Sequence, residues 1–254
     1  MTLPVPDEAA RDLYGRLRRF LPGLVLDIGC GTGAIAFDLA RASLGPHAGT
    51  TGDLVPHAGS AGDLVLLDAV DLRGPLAAGF PFVLGDACAL PFATGSLDGV
   101  HLARVLHHVS DWRVALTEAR RVVRPGGSIA VTLGGRMFAT ALAPLRDAVF
   151  AEGRRLGFEG AHHVHGPAGY ADVDSVLGTG EVVEVAFPQL DTPRQVVLDA
   201  ASHPYAWLPG QDLSPLRAVA EQVLADSDFA PDQPVTHERV ISYRVYRTAG
   251  GQLP

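Results

Sequence analysis

Along the first half of the chain, short apolar runs alternate with segments whose apolar residues recur every three or four positions. Leu24–Ile28, Leu64–Leu67, Pro81–Leu84, Ser96–Ala103 and Ser128–Leu133 are runs of strand length. Runs apolar at successive positions suit strands buried on both faces, as in a parallel sheet with helices on either side. The helical period predicts helices over Asp7–Phe20, Thr32–Ala42 and Asp111–Val123. In the first, Leu13, Leu17 and Phe20–Leu21 share a side, and Pro22-Gly23 stops it. In the third, Val114, Ala115, Ala119, Val122 and Val123 supply the buried stripe. Arg120, Arg121 and Arg124 sit at its negative end, before Pro125-Gly126-Gly127. Past Gly135 the pattern predicts a long helix over Met137–Leu156, a His/Gly-rich segment and a short helix near Ala171–Leu177. A strand over Val182–Phe187, helices over Pro193–Ser202 and Ser214–Asp226, and a strand over Arg239–Arg247 follow. Strands alternating with helices give an α/β fold.

One stretch departs from this rhythm. Residues 46–55 and 56–65 are a tandem repeat of ten residues that differs at two positions. One repetition does not build a solenoid, and its Gly, Pro, Ser and Thr suit a surface loop. Lengthening a loop costs little entropy, so the duplication reads as an insertion without a function of its own.

A length of 254 residues suits one large domain, and 47% apolar with 19% charged residues is a globular composition. No apolar run is long enough to span a bilayer and no basic segment precedes an apolar one at the start, so the expectation is a cytoplasmic protein without membrane contact. Cys30 and Cys88 are the only cysteines, which argues against a disulfide framework. All 20 basic residues are arginine and the formal charge is −8. Without a basic stripe, nucleic acid is a poor partner. Arg16, Arg18 and Arg19 read as the wet face of the first helix. No feature fixes the oligomeric state, and a homodimer is one arrangement the sequence allows.

The chemistry is concentrated in residues 25–33, Val-Leu-Asp-Ile-Gly-Cys-Gly-Thr-Gly. A buried strand runs through Asp27 into Gly29, Gly31 and Gly33, and a helix follows. Glycine admits positive φ and close approach of a ligand, and a helix start offers N–H groups to a polar guest. The Gly-x-Gly-x-Gly spacing is not the Gly-x-Gly-x-x-Gly of dinucleotide enzymes. It resembles motif I of the class I S-adenosylmethionine (AdoMet)-dependent methyltransferases. Three further stretches resemble the small-molecule, ubiquinone-biosynthesis-type branch, in the same order. They are Gly85-Asp86-Ala87 with Leu90-Pro91-Phe92, then Ser96-Leu97-Asp98 with Val105-Leu106-His107-His108-Val109, then Val122-Val123-Arg124-Pro125-Gly126-Gly127. The resemblance covers about residues 20–135, departing in the insertion and in a short interval between the second and third strands.

The resemblance implies a Rossmann-like three-layer α/β/α sandwich with a seven-stranded, mainly parallel sheet and an antiparallel last strand. It also implies AdoMet as cofactor and a small-molecule acceptor. The whole chain then reads as one domain: an N-terminal helix (1–22), a cofactor half (23–135) and a substrate-side half (136–254) with a helical lid over about 188–234. A carboxylate ending the second strand can accept both ribose hydroxyls. Asp68 ends that apolar run and is preferred, with Asp71 as the alternative. Asp86 suits the adenine amino group, with the Ala87 or Cys88 N–H toward the ring. Asp27 suits the methionine ammonium, directly or through water. Gly29, Cys30, Gly31 and Gly33, with Ala103 and Arg104 at the end of the fourth strand, complete the cofactor set.

Methyl transfer is an in-line displacement in which the protein aligns the reactants and excludes water. An oxygen or nitrogen acceptor also loses a proton, and His107 and His108 are the candidates for that base, or else pack and cap the turn. Arg104 could alternatively anchor an acidic group of the acceptor or form an internal salt bridge. His162, His163 and His165 read as part of the lid rather than as a metal site. Tyr170, His203, Tyr205 and Trp207 line that lid or form its small core. The rival readings are an AdoMet-binding cyclase on the same fold and a non-catalytic AdoMet-binding protein.

Overall fold

The computed structural model describes residues 5–42, 63–133, 141–158, 166–202, 207 and 211–249. The chain forms α1 (Asp7–Phe20), β1 (Val25–Ile28), α2 (Ala34–Arg41), β2 (Leu64–Asp68), a 3-10 turn (Pro75–Ala77), β3 (Phe82–Leu84) and β4 (Leu97–Ala103). Then come α3 (Trp112–Val122), β5 (Val123–Thr132), α4 (Ala143–Arg155), α5 (Tyr170–Leu177), β6 (Glu181–Asp191), α6 (Pro193–Ser202), α7 (Ser214–Ala225) and β7 (Val235–Arg247). The strands make one sheet in the order β3-β2-β1-β4-β5-β7-β6. β1 is parallel to β2 and β4, β2 to β3 and β4 to β5, while β7 runs antiparallel to β5. This is the expected Rossmann-like sandwich. Residues 43–62, which include all of the two repeats but their last three residues, and the His162–His165 group lie outside the described residues, as do His203 and Tyr205.

By compactness the chain divides into two units. The larger holds residues 6–134, 165–185 and 242–254. Its core joins Leu26 and Ile28 of β1, Val100 and Leu102 of β4, Ile129 and Val131 of β5 and the stripe Ala115, Leu116, Ala119 and Val122 of α3. Asp111 caps α3 by accepting from the N–H groups of Arg113 and Val114. α1 carries Asp7 and Glu8 in its first turn and Arg18 and Arg19 in its last, matching the helix dipole. The face of Arg16, Arg18 and Arg19 is only partly wet: Arg19 is exposed, but Arg16 and Arg18 are half-buried, and Arg16 pairs with Asp12 at 2.9 Å.

The smaller unit holds residues 1–5, 135–164 and 186–241. Its core is built by α4, α6 and α7 around Trp207, whose indole N–H donates to the Ala200 carbonyl at 3.0 Å. Gly153 is needed there, since a Cβ would stand 2.4 Å from the indole ring. Of the two roles left open for Trp207, core is the one observed. Tyr170 belongs to the other unit, where its hydroxyl donates to the Ser242 carbonyl at 2.8 Å.

α4 starts at Ala143 rather than Met137, and three strands run four or more residues beyond their expected bounds. β5 begins at Val123 rather than Ser128, because Pro125-Gly126-Gly127 forms an irregularity within the strand. Gly126 takes a φ of 78°, and Thr248 N–H donates to the Gly127 carbonyl at 3.0 Å. β6 runs on through Pro188 to Asp191, which its position at the sheet edge permits. β7 starts at Val235, where His237 meets Asp191 at 3.2 Å and Arg239 donates to Gln189 at 3.0 Å.

Candidate active site

Parallel strands place the chemistry of an α/β sheet at their C-terminal ends. At the end of β1 the chain turns through Gly29, Gly31 and Gly33, with φ of 70°, 52° and 78°, a conformation that disfavours any side chain. Gly29 and Cys30 donate N–H groups to the Leu67 carbonyl at 2.8 and 3.2 Å, which ties the turn to β2. The three glycines then differ. A Cβ on Gly29 would stand 2.2 Å from Val105, and one on Gly33 would stand 2.3 Å from Ala77. At Gly31 it would meet nothing within 4 Å. Gly29 and Gly33 are packing requirements, whereas Gly31 opens onto space. α2 then starts with Gly33 in the N-cap position and no side-chain cap, so N–H groups remain at its start.

Asp68, the last residue of β2, is bound into this turn: its Oδ2 accepts the Gly31 N–H at 2.9 Å. Asp71 lies beyond the strand, half exposed, with its carboxylate held by Arg73 Nε and Nη2 at 2.9 Å each. That pairing holds the Asp71 carboxyl below the usual range. After β3, Asp86 is exposed, Ala87 is buried, and Asp86 Oδ1 accepts the Cys88 N–H at 2.8 Å. The Cys88 N–H is thereby committed within the loop. Its thiol lies 3.3 Å from the Asp111 carbonyl. Burial, with Asp27 and Asp68 nearby, pushes the Cys30 thiol up to about 12, which leaves it a protonated bystander.

β4 ends at Ala103. Arg104 follows with a φ of 55°, the left-handed region where a side chain is strained, and its N–H donates to the Thr132 carbonyl at 2.8 Å. His107 is half-buried and His108 exposed, their rings 3.9 Å apart and tilted by 46°. The His108 N–H donates to the Val105 carbonyl at 2.8 Å. Gly166 lies against His107, since a Cβ there would come within 3.0 Å of both Cβ and Cα of the histidine.

Asp27, the residue expected to meet the methionine ammonium directly or through water, is buried beneath the glycine turn. It is 2% exposed, and its Oδ1 lies 2.6 Å from Nδ1 of His101. The two stand opposite each other in the register of β1 and β4.

A methyltransferase domain family matches residues 26–131, from β1 to the end of β5. An O-methyltransferase of Aspergillus nomiae is 33% identical over 125 residues, covering 49% of this chain and 52% of its own length. A demethylmenaquinone methyltransferase of Corynebacterium efficiens is 37% identical over 84 residues, 32% of this chain and 35% of its own. The chain thus aligns with about half the length of these curated relatives, or less. The YcgJ protein of Bacillus subtilis superposes over 96% of this chain and all of its own, with 15% identity and a TM-score of 0.55. The cyclase SpnF does so over 96% and 82%, with 16% identity and a TM-score of 0.52. These two likenesses are of fold alone.

Residues 26–131 form a methyltransferase domain of the class I AdoMet-dependent type. AdoMet is the cofactor of such a domain, and the residues present fit it. The open space at Gly31, the Asp68 carboxylate beside it and the Asp86 loop all follow the C-terminal ends of β1, β2 and β3. The methyltransferase domain also holds a residue that the sequence reading passed over, His101. Its signal was there, a histidine between Val100 and Leu102 in an otherwise apolar strand. Asp68 drew attention because it ends a run, whereas His101 lies within one.

Proposed function

We propose that this protein transfers a methyl group from AdoMet to a small-molecule acceptor at oxygen, nitrogen or carbon. The observation that carries the reading is the Gly31–Asp68 unit, an open glycine turn bound to the carboxylate that ends the adjacent parallel strand. When bound, AdoMet supplies an electrophilic methyl group on a sulfonium. Asp68 holds the ribose hydroxyls, Asp86 accepts from the adenine amino group beside the Ala87 backbone, and Asp27 faces the ammonium. Ala103 and Arg104 border the cofactor at the end of β4, and Gly29, Cys30 and Gly33 shape the turn. His107 or His108 takes the acceptor's proton where the nucleophile is a hydroxyl or amine. The names of the curated relatives make a hydroxyl the first acceptor to try. Two free cysteines suit the cytoplasm, where we place a biosynthetic role. No helix among the described residues is long and apolar enough to cross a membrane.

The test is transfer of labelled methyl from AdoMet to candidate phenols, quinols and amines, with the demethylated product measured alongside. Labelled product that depends on the protein supports the reading. Tight AdoMet binding with turnover of a substrate but no label transferred would favour the cyclase reading instead.

A further inference from the structure

His101 is fully buried in the middle of β4, among residues that need no polar partner. An imidazole taken out of water costs free energy unless its nitrogens are satisfied, and here both are. Nδ1 lies 2.6 Å from Asp27 Oδ1, and Nε2 lies 3.1 Å from the hydroxyl of Tyr243, whose ring stacks on the imidazole with centroids 5.4 Å apart. Tyr14 of α1, also buried, lies beside Tyr243. The chain Asp27–His101–Tyr243 therefore crosses β1, β4 and β7 within the larger unit, with Tyr14 of α1 beside its end. Burial pushes the Tyr14 phenol up to about 12 and raises that of Tyr243 well above its ordinary value, so both carry a proton to donate. One arrangement satisfies both imidazole nitrogens: Tyr243 donates to Nε2, and Nδ1–H to the Asp27 carboxylate.

Neither His101 nor the two tyrosines is needed to explain the glycine turn, and a purely apolar trio would fill the same space. What the chain does supply is a fixed carboxylate. A carboxylate rotates about its last bond with little resistance, and one oxygen claimed by a rigid donor stops that rotation. We infer that His101 is a positioning residue for the cofactor's amino acid head. By holding Oδ1 of Asp27 it leaves Oδ2 as the acceptor for the ammonium group. The inference rests on the proposed role of Asp27 in binding AdoMet.

The test compares two ligands by calorimetry. S-Adenosylhomocysteine carries the amino acid head, and 5′-methylthioadenosine has the nucleoside and the sulfur without it. His101→Leu should weaken S-adenosylhomocysteine about tenfold or more and leave methylthioadenosine within about twofold. His101→Asn, whose amide nitrogen stands near the place of Nδ1, should recover most of the loss. His101→Gln, whose amide nitrogen stands nearer Nε2, should not. Tyr243→Phe should weaken only the first ligand, by about threefold. If His101→Leu does not fold, the contrast of Asn with Gln and the Tyr243→Phe result decide. Equal loss for both ligands, no loss for either, or Asn performing no better than Gln would overturn the inference. Wild-type protein that binds neither ligand would overturn the cofactor reading itself, and the inference with it.

Discussion

Asp68 and Gly31 are joined by a hydrogen bond of 2.9 Å from the glycine N–H to the carboxylate, across the junction of β2 and the β1 turn. Asp71, three residues on, spends its carboxylate on Arg73 at the surface. The two acids that the sequence left as alternatives are therefore unequal. Asp68→Ala should weaken AdoMet about tenfold or more, by losing the ribose acceptor and loosening the turn. Asp71→Ala should change affinity by less than about threefold, because an exposed ion pair contributes little. Calorimetry on both variants checks this, and the reverse order would move the ribose role to Asp71.

The three glycines of the turn should separate in the same way. Gly29→Ala and Gly33→Ala drive a methyl group into Val105 and Ala77, so both should lower the melting temperature markedly. Gly31→Ala meets only strain from its positive φ, of about 1 kcal/mol, and should fold with a modest loss. Its AdoMet affinity should nevertheless fall far more than its stability, since the methyl group projects where the cofactor is proposed to lie. A Gly31→Ala protein that melts like its parent and binds AdoMet unchanged would remove the turn from the cofactor site.

Asp98 gives the fold a pH dependence of known sign. Its carboxylate accepts from Arg124 and from the Leu24 N–H at 2.7 Å, and these bonds hold its pKa below the usual carboxylate value. A depressed folded-state pKa gives stability that is complete above the unfolded value of about 4 and is lost as pH falls through the lower folded-state value. Asp98→Asn should therefore cost about 1 kcal/mol at neutral pH, and the difference from the parent should shrink toward zero in acid. Thermal melts of the pair from pH 7 to pH 3 measure it. A gap that widens in acid would assign the wrong partner to Arg124.

For the acceptor's proton, His107 is the better placed of the pair, half-buried and covered by Gly166, while His108 is exposed. With a hydroxyl or amine acceptor, His107→Gln should lower kcat about 100-fold with AdoMet affinity within about twofold. His108→Gln should do less. The acid limb of the rate profile should vanish in the variant that removes the base. Near-normal turnover in both would leave the pair a structural turn.

How much of this was legible beforehand followed from where polarity interrupts an apolar pattern. Asp7–Phe20 was read to its last residue because Pro6 and Pro22-Gly23 bracket a clean helical stripe. β6 and β7 were cut short because their outer halves carry Gln189, Asp191, His237 and Arg239, which pair with one another where a single sequence shows only polar residues. The glycine turn and Asp68 stood out because they end strands. The partner of Asp27 did not, since it comes from β4, 74 residues along the chain, and only the strand register brings the two together. Nor does periodicity distinguish the separate tasks of Gly29, Gly31 and Gly33, which are set by Val105, Ala77 and empty space.

The strand order has a consequence for how the protein is made. β7 lies between β5 and β6, so β6 has no neighbour in the sheet until residues 235–247 have been synthesised. From its emergence until then, its backbone donors and acceptors on both edges await a partner, a state open to mispairing. The same strand brings Tyr243 to His101, so the polar chain behind Asp27 is completed by the last strand of the sheet to leave the ribosome. A nascent chain can therefore bring Asp27 to His101 well before Tyr243 arrives to satisfy the far side of the imidazole.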